Sequence, residues 1–188
     1  MSLRFVFLDR DGVLNHRSSV KRFVTTPEEL ELLPGTREGL SLLSAHGYGI
    51  VIVTNQQGVA LGQLSSEALA AVHDELRRQV SGAATFLDIL VCPHSEFEGC
   101  PCRKPRPGML LEAARRHAIP LARTFFVGDN PTDVAAGHAA GTRTIYVGEP
   151  GALAGQAPDF LAGNLIAAVR IILREDGLTV GRTTSACP

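Results

Sequence analysis

The residues best suited to chemistry stand at the end of the first apolar run, where Phe5-Val6-Phe7-Leu8 leads directly into Asp9-Arg10-Asp11-Gly12-Val13. Side chains of a strand alternate faces with a period of two, so Asp9 and Asp11 leave it on one side and Arg10 on the other. Two carboxylates in one small volume repel each other. They persist there with a metal ion, or with a shared proton that raises one pKa, and both are devices of catalysis. Gly12 lets the chain turn sharply off the strand and lets backbone approach a ligand. The bland alternative is a plain strand followed by an Asp-Gly turn.

A second cluster follows the third apolar run. Cys92, Cys100 and Cys102 fall within eleven residues and enclose His94, spaced C-x-H-x5-C-x-C. In a reducing compartment such clustering reads as a metal site rather than as disulfides. Three thiolates and one imidazole complete a tetrahedron with no open position, so the metal would be a structural zinc. The one-residue gaps are tighter than in common zinc fingers, and the alternative is a surface loop of reduced thiols. Arg103 and Lys104 come next, so bracing this loop would place both cations. Cys187 sits in a polar stretch, 176–188, and reads as a bystander.

The elements that must position these residues alternate along the chain. Short runs rich in Val, Ile and Phe at 5–8, 49–53, 86–91, 124–127 and 143–147 read as buried parallel strands. Helical patterns lie between and after them, at 35–46, 65–80, 107–117, 131–140 and 163–174, with Ser65, Pro107 and Pro131 as start signals and Gly141 as a stop. Repeated strand-helix-strand units predict an α/β fold, a doubly wound parallel sheet covered on both faces. At 188 residues, one domain over 1–175 and a polar tail over 176–188 are expected, with no room for a separate cap. A net charge of −1 supplies no basic field for nucleic acid or anionic membrane. No apolar run reaches membrane-spanning length and no secretory pattern precedes the first strand, so a cytoplasmic monomer is expected, with a small-molecule partner. Lys21 and Lys104 are the lysines against sixteen arginines, which makes a lysine inside a motif informative.

Ligands of such sheets sit at the carboxyl ends of the strands, near the point where strand order reverses. There the sequence collects Asp9 and Asp11, then Thr54-Asn55-Gln56-Gln57-Gly58, then Arg103-Lys104-Pro105, then Gly128-Asp129-Asn130-Pro131-Thr132-Asp133. Paired acids, a hydroxyl, a lysine and a further acid form a kit for phosphoryl transfer.

In this order the four motifs resemble the haloacid dehalogenase superfamily. Leu8-Asp9-Arg10-Asp11-Gly12-Val13-Leu14-Asn15, Thr54-Asn55-Gln56-Gln57-Gly58, the cysteine cluster and Cys102-Arg103-Lys104-Pro105 are similar to its branch of heptose bisphosphate and histidinol phosphatases. The resemblance implies that Asp9 attacks phosphorus to give an aspartyl phosphate. Asp11 would protonate the leaving alcohol and then activate water, beginning protonated beside the charge of Asp9. Mg²⁺ would be held by Asp9, the Asp11 carbonyl, Asp129 and waters. Thr54 and Lys104 would contact the phosphoryl oxygens, and Asp133 would orient Lys104 or a metal-bound water. Zn²⁺ would be held by Cys92, His94, Cys100 and Cys102.

For substrate contacts the candidates are Arg10, Asn55, Gln56, Arg103 and Asn130. Arg10 could equally be an ion-pair partner, and Asn130 stands where the heptose enzymes are often basic. Asn15, Arg17, Ser18 and Arg22, in the loop after Asp9, could meet the distal end of a substrate. His16, His46, His73, His117 and His138 carry no ligand spacing and are expected at the surface or at helix ends. The expected activity is Mg-dependent removal of a phosphate from D-glycero-D-manno-heptose 1,7-bisphosphate. The five-residue gap between His94 and Cys100 keeps histidinol phosphate as an alternative. A third reading, an inactive metal-binding interaction protein, has every catalytic position filled against it.

Overall fold

Short β-branched and aromatic runs separated by amphipathic helices leave the chain one economical arrangement, helices packed on both faces of a sheet. The computed structural model describes residues 3–17, 23–153 and 155–179. Six strands, β1 (Arg4–Leu8), β2 (Tyr48–Asn55), β3 (Phe86–Cys92), β4 (Phe125–Gly128), β5 (Arg143–Val147) and β6 (Phe160–Ala162), form one sheet. Their order is β3-β2-β1-β4-β5-β6, with every pairing parallel. The helices are α1 (Thr36–Ala45), α2 (Ser66–Gln79), α3 (Gly108–His117), α4 (Pro131–Ala140) and α5 (Leu165–Glu175).

The period-two alternation of the strands divides the core. Val6, Leu8, Ile50, Ile52, Phe125 and Val127 pack with Leu40, Leu43, Val72, Leu76 and Val169 from α1, α2 and α5. Phe5, Phe7, Val51, Val53 and Phe126 pack on the opposite face with Met109, Leu110, Ala113 and Ala136 from α3 and α4. The five expected strands and five expected helices are present, with bounds shifted by a residue or two. Among the described residues no separate domain stands between β1 and α3 to cap the carboxyl edge of the sheet.

Two features differ from expectation. β6 adds a sixth strand of three residues, too short to register as a periodic run; Arg143 lies over both Phe125 and Phe160 and ties this edge to β4. The start of the predicted tail belongs to the body: Tyr48 donates its hydroxyl to Asp176, and Leu178 packs on the core. Residues 180–188, Cys187 among them, lie outside the described residues, as do Ser18 and Arg22. No helix among the described residues is long and apolar enough to cross a membrane.

Candidate active site

Strand order reverses between β1 and β4, and the titratable residues gather there. Asp9 follows β1 directly, its N–H donating to the Val127 carbonyl of β4 (2.9 Å). Its Oδ1 accepts from the Arg10 N–H (2.7 Å) and forms an ion pair with Lys104 Nζ (2.9 Å), leaving Oδ2 without a partner among the described residues. Lys104 also forms an ion pair with Asp133 Oδ1 (2.7 Å) and donates to the Val53 carbonyl (3.0 Å). Asp133 is the acid that orients the lysine. Its Oδ2 accepts from the Asn130 N–H (3.0 Å), while Asn130 Oδ1 accepts from the Thr132 N–H, closing a capping box that starts α4.

Burial pushes Asp9 up to about 6, with the charges of Asp133 and Asp11 adding and Lys104 opposing. Burial and the charge of Asp9 push Asp129 up to about 6 as well, against Arg17. Burial opposes the charge of Lys104, yet Asp133 and Asp9 outweigh it and hold the ammonium above its usual range. One carboxylate oxygen each from Asp9, Asp129 and Asp133 lies within 4.8 Å of the others. Because Asp133 is committed to Lys104 and the helix cap, Asp9 and Asp129 are the acids with coordination capacity left. Hard oxygen donors with surplus negative charge suit Mg²⁺. Gly12, at φ +90°, closes this corner: a Cβ there would collide with the Asp129 carboxylate. Arg17 Nη2 donates to Asp129 Oδ1 (2.7 Å) across the same corner.

Asp11 departs from its expected protonation state. Arg10 donates to both its oxygens (Nη2 at 2.9 and 2.8 Å, Nε to Oδ1 at 3.1 Å), and Asn15 Nδ2 and Gln56 Nε2 each add a donor at 2.8 Å. Burial favours its acid form, but Arg10, Asn15 and Gln56 outweigh burial and hold the carboxyl below the usual range. The neighbouring charge of Asp9 is the weaker influence, so Asp11 rests as a carboxylate and not as the acid anticipated from the pairing.

The same network corrects two expected substrate contacts. Arg10 is fully buried and Gln56 is 1% exposed, and neither lines the cleft. Both are committed to Asp11 instead. The strand ends at Leu8, so alternation no longer governs Arg10, and the turn through 10–15 folds its side chain back under Asp11. His73 is a further correction, since it lies 7% exposed on α2 with Nε2 3.1 Å from Arg10 Nη1. Leu69, Val72 and Leu76 share that buried face, and a lone histidine among them carries no local signal of its partner.

A cleft of about 250 Å³ opens above these groups, lined by Asp9, Asp11, Thr54 and Lys104 with Arg17, Asn55, Arg103, Asn130 and Thr132 at its walls. Thr54 Oγ1 accepts from Gln56 Nε2 (2.8 Å), which leaves its own hydroxyl proton to give. Asn55 bonds Lys104 twice, Oδ1 accepting from its N–H and Nδ2 donating to its carbonyl, both at 3.1 Å. These two bonds clamp the lysine loop, and Asn55 also faces the cleft. Arg17 joins the site from the loop after Asp9, while Asn15 turns inward to Asp11.

Cys92, His94, Cys100 and Cys102 converge beside this loop. Cys92 Sγ lies 3.6 Å from Cys100 Sγ, Cys102 Sγ 3.4 Å from Cys100 Sγ, and His94 Nδ1 3.7 and 3.2 Å from the sulfurs of Cys92 and Cys102. Ligands about 2.3 Å from a tetrahedral zinc stand roughly 3.7 Å apart, so the donors fit that ion with Nδ1 facing it. The Arg103 guanidinium reaches the His94 carbonyl (3.4 Å), and that of Arg106 the Cys100 carbonyl (2.7 Å).

The HAD-hydrolase-like family matches residues 101–168. D-glycero-beta-D-manno-heptose-1,7-bisphosphate 7-phosphatase of Bordetella bronchiseptica is 39% identical over 140 residues, 74% of this chain and 77% of that protein. The chain belongs to the HAD superfamily of phosphatases. Within it, D-glycero-alpha-D-manno-heptose-1,7-bisphosphate 7-phosphatase of Mycobacterium bovis is 41% identical over 136 residues, 71% of this chain and 70% of the relative. The crystal structure of the B. bronchiseptica D,D-heptose 1,7-bisphosphate phosphatase, complexed with magnesium and phosphate, superposes with a TM-score of 0.86 at 34% identity, covering 92% of this chain and 99% of that one. The HAD assignment fits the placement of the acids and Lys104 at the strand ends.

Proposed function

We propose that this phosphatase removes the 7-phosphate of D-glycero-D-manno-heptose 1,7-bisphosphate. The observation that carries the reading is the Asp9-Lys104-Asp133 chain at the switch point, in a protein whose relatives act on that sugar. Asp9 attacks phosphorus and the sugar alcohol leaves. Lys104 and the Thr54 hydroxyl meet the phosphoryl oxygens, Lys104 held in place by Asp133 and by the Asn55 clamp. Asp11 serves both halves of the cycle unequally: the base form that draws a proton from attacking water is its resting form, whereas the acid form that protonates the alcohol is the minor one. Mg²⁺, held by Asp9, Asp129 and the Asp11 carbonyl, would supply positive charge that lets an anionic nucleophile approach an anionic ester.

Arg103, Arg17 and Asn130 line the walls where the remainder of a bisphosphate can lie, and an uncapped cleft suits a substrate gripped at both ends. Cys92, His94, Cys100 and Cys102 would hold Zn²⁺, which would brace the loop that delivers Arg103 and Lys104. Reduced thiols at such a site fit a cytoplasmic enzyme, and one chain contains every group named, consistent with a monomer. The test is kcat/KM for both anomers of heptose 1,7-bisphosphate against histidinol phosphate, with the product identified by phosphorus NMR. A marked preference for the heptose with the 1-phosphate retained is expected. A preference for histidinol phosphate overturns the reading.

A further inference from the structure

We infer that His73 is a positioning residue for Asp11, acting through the buried side chain of Arg10. The inference deepens the phosphatase reading and rests on it. No residue of α2 lines the cleft, yet His73 places the ring of that helix's buried face against the arginine that grips Asp11. Arg10 uses one edge, Nε and Nη2, on the carboxylate and turns Nη1 to His73 Nε2 at 3.1 Å. A guanidinium is planar, so an acceptor at Nη1 sets the plane and with it the edge presented to Asp11. Without that acceptor a buried N–H has no protein partner, and the side chain gains a reason to turn away.

The residue type matters. A carboxylate at this position would compete with Asp11 for the single charge of Arg10. A neutral imidazole accepts the bond and leaves the charge to Asp11. The surroundings keep the ring neutral: burial and the adjacent Arg10 and Arg77 cations push it down to about 4, against Asp11 and Asp74. Nε2 is then available as an acceptor. α2 thus helps to orient the proton-transferring carboxylate from the far side of Arg10, without touching substrate.

The test compares steady-state kinetics and melting temperature for the native protein, His73→Gln, His73→Asn and His73→Leu with heptose 1,7-bisphosphate. Glutamine can bring Oε1 to the place of Nε2, whereas asparagine, one methylene shorter, cannot. Activity of the native protein that is lost in Asp9→Asn checks the phosphatase reading on its own. Given that activity, His73→Leu and His73→Asn are expected to lower kcat about tenfold or more with KM little changed, as loss of an orienting partner does. His73→Gln should recover most of kcat, whether or not its melting temperature recovers. If all three variants turn over at the native rate, or if Gln is no better than an equally folded Asn, the positioning role is refuted while the phosphatase reading stands. Should Leu fail to fold, the Gln-to-Asn contrast decides alone.

Discussion

Two donor clusters flank the segment Cys102-Arg103-Lys104, and they differ in what they leave open. Around Asp9 the donors are carboxylate oxygens in a solvent-reached cleft, with Asp9 and Asp129 pushed to about 6 by burial and by neighbouring carboxylates. Around Cys100 they are three sulfurs and one imidazole nitrogen, already near tetrahedral spacing. The oxygen set has room for exchanging ligands, as turnover of an ester demands. The sulfur set is closed, as a brace demands. Lys104 links them, ion-paired with Asp9 while its backbone leaves Cys102 two residues earlier.

That contrast is open to tests of decreasing size. Asp9→Asn should abolish turnover, lowering kcat by about 10³ or more with the fold intact, as loss of a nucleophile does; phosphate release against circular dichroism checks both. Cys100→Ser should cost zinc, read by atomic absorption, and lower the melting temperature by roughly 5 °C or more. Its kcat/KM should fall about 10- to 100-fold, since Arg103 and Lys104 lose their brace. If zinc leaves and activity stays, the two clusters are independent. Asn55→Ala removes both bonds to the Lys104 backbone and should lower kcat about tenfold, with metal content of the sulfur cluster unchanged.

The smallest effect is in stability against pH. His73 resists protonation in the folded state, down to about 4, whereas the unfolded chain takes up that proton near about 6.5. Its neutral form therefore contributes stability in full above about pH 6.5, and the contribution is lost as pH falls toward about 4. Urea midpoints of the native protein minus those of His73→Gln, taken from pH 7 to pH 5, should fall with pH; a flat difference contradicts the buried neutral ring. Taking the difference cancels the opposing titrations of Asp9 and Asp129.

The sequence made the strand-end acids, Thr54, Lys104 and the sulfur cluster legible because each is tied to local pattern: a strand period, a fixed spacing, a turn. What it hid was set across the fold. The alternation rule stopped at Leu8, so the return of Arg10 onto Asp11 followed a turn rather than a strand. His73 is 63 residues from Arg10, and no local pattern links a helix face to the far side of an arginine. The protonation of Asp11 was misjudged for the same reason, since Asn15, Gln56 and Arg10 outweigh the one neighbour that adjacency made visible. β6 escaped as three residues on an edge.

The most direct test is covalent. A single turnover of heptose 1,7-bisphosphate in the presence of Mg²⁺, quenched in acid and mapped by mass spectrometry, should place a phosphoryl group on the peptide containing Asp9. Asp11→Asn, which lacks the base for the second step, should accumulate more of it. Phosphate released with the label on another residue, or an Asp9→Asn protein that turns over at the native rate, would contradict the account.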